Sequence, residues 1–150
     1  MPLEKSQELR YGENAHQKAA LYLTADHKGA FGGMEQFQGK ELSYNNIRDL
    51  DVAWKAVSAY NKFVKNAESV KSDDGSTVNF AGTEGSIFTI ALKHNTPCGA
   101  ALGKDALDSN KKTYECDPVS IFGGIIGCSG TIEKAAAEEM VKCLLEVIVA

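Results

Sequence analysis

The sequence predicts an α/β domain of three layers. Three observations carry this: short apolar runs that read as buried strands, apolar residues spaced in threes and fours that read as helices, and the alternation of the two in the second half of the chain. The strand runs fall at residues 86–92, 122–128 and 146–149, and the helical patterns at 47–64, 104–114 and 132–144. Such alternation argues for largely parallel connections. At 150 residues the chain suits one domain with one core.

Taken in order, the segment Leu9-Arg10-Tyr11-Gly12-Glu13-Asn14-Ala15-His16-Gln17 precedes a short strand at 19–23, and residues 29–39 form a glycine-rich loop with a few aromatics. Asn45 or Asn46 is placed to cap the first helix, because a short amide side chain accepts from the first free backbone donors. Ile47, Leu50, Trp54, Val57 and Tyr60 then define its apolar face, joined by Ala53, Phe63 and Val64, with Trp54 read as core packing. Residues 65–77, ending in Ser72-Asp73-Asp74-Gly75-Ser76, read as a solvated loop.

Ser86-Ile87-Phe88-Thr89-Ile90-Ala91-Leu92 is rich in β-branched and aromatic residues, which suits a strand covered on both faces. Lys93 and His94 stand where the apolar run stops, and Pro97 and Gly99 are expected to turn the chain away. In Phe122-Gly123-Gly124 the glycines mark either a bulge or a close backbone approach.

The net charge of −4 is spread without a basic run, which removes the electrostatic footprint of a nucleic-acid or membrane-surface binder. Cys98, Cys116, Cys128 and Cys143 are too far apart for a Cys-x-x-Cys pair, and no secretory signal or spanning-length apolar segment is present. The expectation is a reduced, cytoplasmic protein whose cysteines serve as small core hydrophobes. No Walker loop or dinucleotide fingerprint occurs, since Gly29 to Gly33 has the wrong spacing and no lysine where one is required.

The pair Lys93-His94 carries the chemistry. An imidazole titrating near neutrality beside an ammonium suits acyl transfer as base and electrophile, although spacing alone favours reading the pair as solvated residues at a loop exit. Adjacent strand residues point to opposite faces, so both can serve one site only if the strand ends between them.

Four motifs follow one another in order: the Leu9-to-Gln17 segment, Gly39-Lys40-Glu41-Leu42-Ser43-Tyr44-Asn45-Asn46, Lys93-His94-Asn95-Thr96-Pro97-Cys98-Gly99, and Asp117-Pro118-Val119-Ser120-Ile121-Phe122-Gly123-Gly124-Ile125-Ile126. Together they resemble the transformylase domain of the bifunctional AICAR transformylase/IMP cyclohydrolase family. The resemblance runs from about Leu9 to the last residue. It implies a cytidine-deaminase-like fold, with this chain as the first of the transformylase domain's two related halves; the cyclohydrolase domain and the second half would lie outside it.

In that family the amine of the AICAR nucleotide attacks the formyl carbon of 10-formyltetrahydrofolate. The resemblance implies that His94 is the base and that Lys93 stabilises developing charge or protonates the leaving nitrogen. It also implies that Arg10 and Tyr11 contact the nucleotide, that Gly123 faces its base, and that Glu146 accepts from its ribose, with Gly12, His16 and Asn95 in support. The folate would be held mainly by residues outside this chain. Relatives form dimers, so a homo-oligomer or association with the second half is expected. The implied fold also raises a zinc deaminase, which needs His-x-Glu and Pro-Cys-x-x-Cys. Here Thr96 replaces the glutamate, and Pro97-Cys98-Gly99-Ala100-Ala101 lacks the second cysteine, so no metal is expected. The rival reading is a non-catalytic purine-nucleotide-binding module.

Overall fold

A computed structural model describes residues 2–66, 69–71, 77–79 and 85–150. Its elements are β1 (Leu3–Leu9), β2 (Ala19–Thr24), α1 (Tyr44–Asn66), β3 (Ser69–Lys71), β4 (Thr77–Asn79), β5 (Ile87–Lys93), β6 (Thr96–Gly103), α2 (Ala106–Cys116), β7 (Gly124–Cys128), α3 (Lys134–Met140) and β8 (Leu145–Val149). The expected α/β class holds. The expected solvated loop at 65–77 contains the end of α1, strand β3 and the first residue of its partner β4, while residues 67–68 and 72–76 lie outside the described residues.

The central sheet has the order β6-β5-β7-β8. Its strands are not largely parallel, as the alternation suggested: β5 runs antiparallel to both β6 and β7, and only β7 and β8 are parallel. The cause is local. Residues 94–95 reverse the chain directly after β5, so β6 returns beside it, and only the β7-α3-β8 passage inserts a helix between neighbouring strands. Pro97 and Gly99 therefore belong to β6 and do not form the turn. Pro97 is tolerated there because β6 is an edge strand and its register shifts opposite Ala91 and Leu92.

Strand alternation builds the three layers. Ile90, Leu92 and Ile125 point to one face, where Ala53 and Val57 of α1 meet them, with Trp54 packed alongside as expected. On the other face Ala91 and Ile126 pack with Ile121 and Met140, and Cys128 packs with Ala106 of α2 and Ala136 of α3. Thr89 is fully buried on this side, where its hydroxyl meets Ser109 Oγ at 2.7 Å and its carbonyl accepts from Thr113 Oγ1 at 3.1 Å. The buried polar atoms between sheet and α2 are thus paired.

Ser43, not Asn45 or Asn46, caps α1. Ser43 Oγ accepts from the Asn46 backbone N–H at 3.2 Å while Asn46 Oδ1 accepts from the Ser43 N–H at 3.0 Å, a reciprocal capping box. The helix starts at Tyr44, one turn earlier than the apolar periodicity alone places it. α3 is shorter than residues 132–144, because the chain after Met140 tightens into turns in which Lys142 N–H reaches Glu139 O and Cys143 N–H reaches Met140 O.

β1 pairs with β2 in an antiparallel hairpin with an irregularity between Lys5 and Gln7. All four cysteines are unpaired; Cys128 is buried and Cys98 and Cys143 are half-buried, but Cys116 is exposed and is not a core residue. Burial pushes the Cys98 thiol above its ordinary pKa. Among the described residues no helix is long and apolar enough to cross a membrane.

Candidate functional site

β5 ends at Lys93, and His94 opens the turn, so the strand does end between the two residues. His94 has φ 55° and Asn95 φ 61°, the left-handed conformation that a two-residue hairpin of type I′ requires at both central positions. Asparagine tolerates this region; histidine does so at a cost of roughly 1 kcal/mol or more. Lys93 Nζ donates to the Phe122 carbonyl at 2.7 Å, which ties the carboxyl end of β5 to the turn entering β7.

That turn is built by Asp117. Its carboxylate accepts from the backbone N–H groups of Ser120 at 2.9 Å and Val119 at 3.2 Å. Hydrogen bonds from Ser120, then Val119, hold the Asp117 carboxyl below the usual carboxylate range. Phe122 and Gly123 belong to this turn, so β7 begins at Gly124 and not at residue 122. Gly123 has φ +71° with open space where a Cβ would stand, so its backbone conformation is what favours glycine. Gly124 is the crowded one: a Cβ would lie 2.8 Å from the Ile121 carbonyl oxygen and 2.9 Å from that of Leu92. The Gly123 N–H donates to Leu144 O at 2.7 Å, carrying the connection to the start of β8.

At the start of β8, Glu146 accepts from Asn46 Nδ2 at 2.6 Å. Asn46 thus both closes the cap of α1 and fixes Glu146. The Arg10 segment runs past the same helix end: Arg10 N–H donates to Leu42 O at 2.8 Å and Tyr44 N–H to Tyr11 O at 3.0 Å. Arg10 lies over the Tyr11 ring, 4.9 Å from its centroid, and donates through Nη2 to the Tyr11 hydroxyl at 3.2 Å. Gly12 N–H donates to Gln17 O at 2.9 Å and closes the loop in which His16 sits exposed.

The anticipated residues thus connect to one end of the sheet. Arg10, Tyr11 and Glu146 are tied to the start of α1, Lys93 to the β7 turn, and Asn95, through Asp49, to the second turn of α1. His16 is not joined to them by these bonds. Arg48 and Asp49 are the members that the sequence reading left out, because beyond its cap the helix was read for its apolar face, and Asn46 was read only as a cap candidate. A groove of about 550 Å³ runs along β8 between Phe37, Leu50, Val141 and Ile148 and includes Glu146, but not Arg10, Tyr11, Lys93 or His94. Of those four, Arg10 and His94 are exposed and Tyr11 and Lys93 are half-buried. Among the described residues no three His, Cys, Asp or Glu side chains converge as a metal site.

Fold and site together define an α/β domain that carries ionisable groups on strand ends and connecting turns at one end of a mixed sheet, against the capped start of a helix. The family model of the AICARFT/IMPCHase bienzyme matches residues 1–150, and the chain belongs to that family. It is 47% identical over 150 residues to the bifunctional purine biosynthesis protein PurH of Clostridium acetobutylicum, covering all of this chain and 25% of that protein. Against PurH of Clostridium beijerinckii it is 48% identical over 147 residues, 98% of this chain and 24% of the relative. For Brachyspira hyodysenteriae PurH the figures are 44% over 144 residues, 96% of this chain and 24% of the relative. The chain therefore spans about a quarter of the length of these curated relatives.

Proposed function

We propose that this chain is the first half of the AICAR transformylase domain of a purine-biosynthesis enzyme, with the sheet of a cytidine-deaminase-like fold. The observation that carries the reading is the end of β5 between Lys93 and His94, which frees two adjacent side chains from opposite faces of a strand. The membership in a bienzyme family supports purine and IMP biosynthesis; the motif order around this turn supports its formyl-transfer half.

In this reading the substrate amine attacks the formyl carbon of 10-formyltetrahydrofolate. Its lone pair is delocalised into the imidazole ring, so His94 takes the amine proton as the new C–N bond forms. The C–N bond to the folate breaks, and the leaving nitrogen gains a proton, with Lys93 supplying positive charge at that end. Arg10 binds the phosphate with its guanidinium fork and Tyr11 assists through its hydroxyl. Glu146 accepts from the ribose, and the bare backbone at Gly123 lets the base lie close. Residues beyond this chain hold most of the folate, and the working protein is an oligomer or an assembly of both halves.

Arg10→Ala is expected to weaken AICAR nucleotide binding roughly 10- to 100-fold, through loss of a charge-assisted fork, and to leave the unphosphorylated nucleoside little changed. Calorimetric titration of both ligands decides it. Equal weakening of the two would show that Arg10 does not read the phosphate.

A further inference from the structure

The turn that carries His94 is held from outside the hairpin. The Asn95 backbone N–H donates to Asp49 Oδ1 at 2.6 Å, although 46 positions separate the two residues in sequence. In the amide orientation that satisfies both neighbours, Asn95 Nδ2 also donates to Asp49 Oδ1 at 2.9 Å, and Asn95 Oδ1 accepts from the Arg48 guanidinium at 2.8 Å. Both polar ends of the Asn95 side chain are therefore spent on α1. Arg48 in turn reaches Glu13 at 3.7 Å and lies 5.7 Å from the centroid of the Tyr44 ring. Asn45 Nδ2 donates to the Glu13 carbonyl at 3.2 Å, a second tie between α1 and the segment that follows Tyr11 and Gly12.

We propose that Asp49 is the positioning residue for His94, and that Arg48 couples this turn to the Arg10-Tyr11 segment. The functional meaning rests on the transformylase reading above. Positive φ is uncommon for any residue but glycine, histidine being among the types that adopt it more often, and it persists where the surroundings hold it. A carboxylate that accepts from both the main-chain and side-chain N–H groups of the next residue fixes Asn95, and with it the direction in which the His94 imidazole leaves the backbone. Asp49 bonds Asn95 and not the imidazole, so it acts through the backbone of the turn. Arg48 hydrogen-bonds Asn95 and makes an exposed ion pair with Glu13, so the face proposed to hold the nucleotide and the turn proposed to hold the base share one support, the start of α1. A small misplacement of a base costs far more in turnover than in ground-state affinity.

The test has two arms. In the 150-residue chain, Asp49→Ala should accelerate hydrogen exchange of the Asn95 amide at least tenfold relative to Leu92 and Ile126, and Asp49→Asn, which keeps an acceptor oxygen, should restore most of the protection. In the complete transformylase, Asp49→Ala should lower kcat for formyl transfer by about 10- to 100-fold with KM for AICAR nucleotide within about threefold, and Asp49→Asn should recover most of the rate. Unchanged Asn95 exchange in Asp49→Ala would overturn the positioning role, and so would a kcat loss that Asp49→Asn does not relieve. Should the wild-type enzyme transfer no formyl group, the transformylase reading fails while the exchange arm still decides whether Asp49 holds the turn.

Discussion

His94→Ala should abolish formyl transfer by the complete transformylase while leaving its affinity for AICAR nucleotide within about tenfold. A base that removes a proton as the new bond forms acts on the transition state, so its loss appears in kcat and only weakly in binding. General-base catalysis alone contributes about 10²- to 10⁴-fold. His94 also occupies a left-handed backbone position, at φ 55°. His94→Gly and His94→Asn, which both accept that conformation, separate lost chemistry from a disturbed turn: each should be as inactive as the alanine variant. Single-turnover assays with 10-formyltetrahydrofolate in excess check this. Substantial turnover in any of the three variants would remove His94 from the role of base.

A large structural effect is expected at Gly103, the last residue of β6. A Cβ there would stand 2.2 Å from the Ser109 backbone nitrogen and 2.7 Å from its Cα. Both obstacles are backbone, so α2 must move away from the sheet for Gly103→Ala to fit. Moving it would open the fully buried contact between Ser109 and Thr89 and lengthen the bond from Thr113 to the Thr89 carbonyl. Overpacking combined with strained buried hydrogen bonds places the loss at about 3 kcal/mol or more, a fall in Tm on the order of 10 °C for a domain of this size. Gly33→Ala, where a Cβ would meet nothing within 4 Å, is the control and should change stability by no more than about 0.5 kcal/mol. Urea unfolding of both variants gives the comparison; wild-type stability in Gly103→Ala would mean that α2 does not sit against β6 as described.

How legible these features were in the sequence follows from which physical signal each one leaves. The apolar runs of β5, β7 and β8 and the face of α1 announced themselves because each is buried by periodic contacts. β1 left no such signal: its residues are mostly exposed, and its sequence is largely polar. β6 was missed because Pro97 and Gly99, turn residues in most contexts, were expected to lead the chain away. In the structure Gly99 and Gly103 are required by the close approach of α2, where a Cβ would lie 2.4 Å from Thr113 O and 2.2 Å from Ser109 N respectively. Missing β6 concealed the reversal at residues 94–95, and with it the antiparallel half of the sheet.

Lys93 and His94 stood out because they end an apolar run. Gly123 stood out as a glycine in an apolar run, but Arg10, Tyr11 and Glu146 stood out only through the family resemblance, since none of the three breaks a local pattern. Asp49 was silent for a different reason. A carboxylate on the polar side of an amphipathic helix is the ordinary arrangement, and its partner lies 46 positions away, so only the folded chain brings the pair together.

The most direct test of the account is titration of the ¹⁵N-labelled 150-residue chain with AICAR nucleotide, following every backbone amide. A single saturable event should shift Arg10, Tyr11, Lys93, His94, Gly123 and Glu146 together, with Asn95 and Asp49 responding through their bond and the α2-facing strand β6 left still. Saturable shifts confined to the groove lined by Phe37, Val141 and Ile148, or no saturable shift at all, would contradict the assignment of a nucleotide site to this end of the sheet.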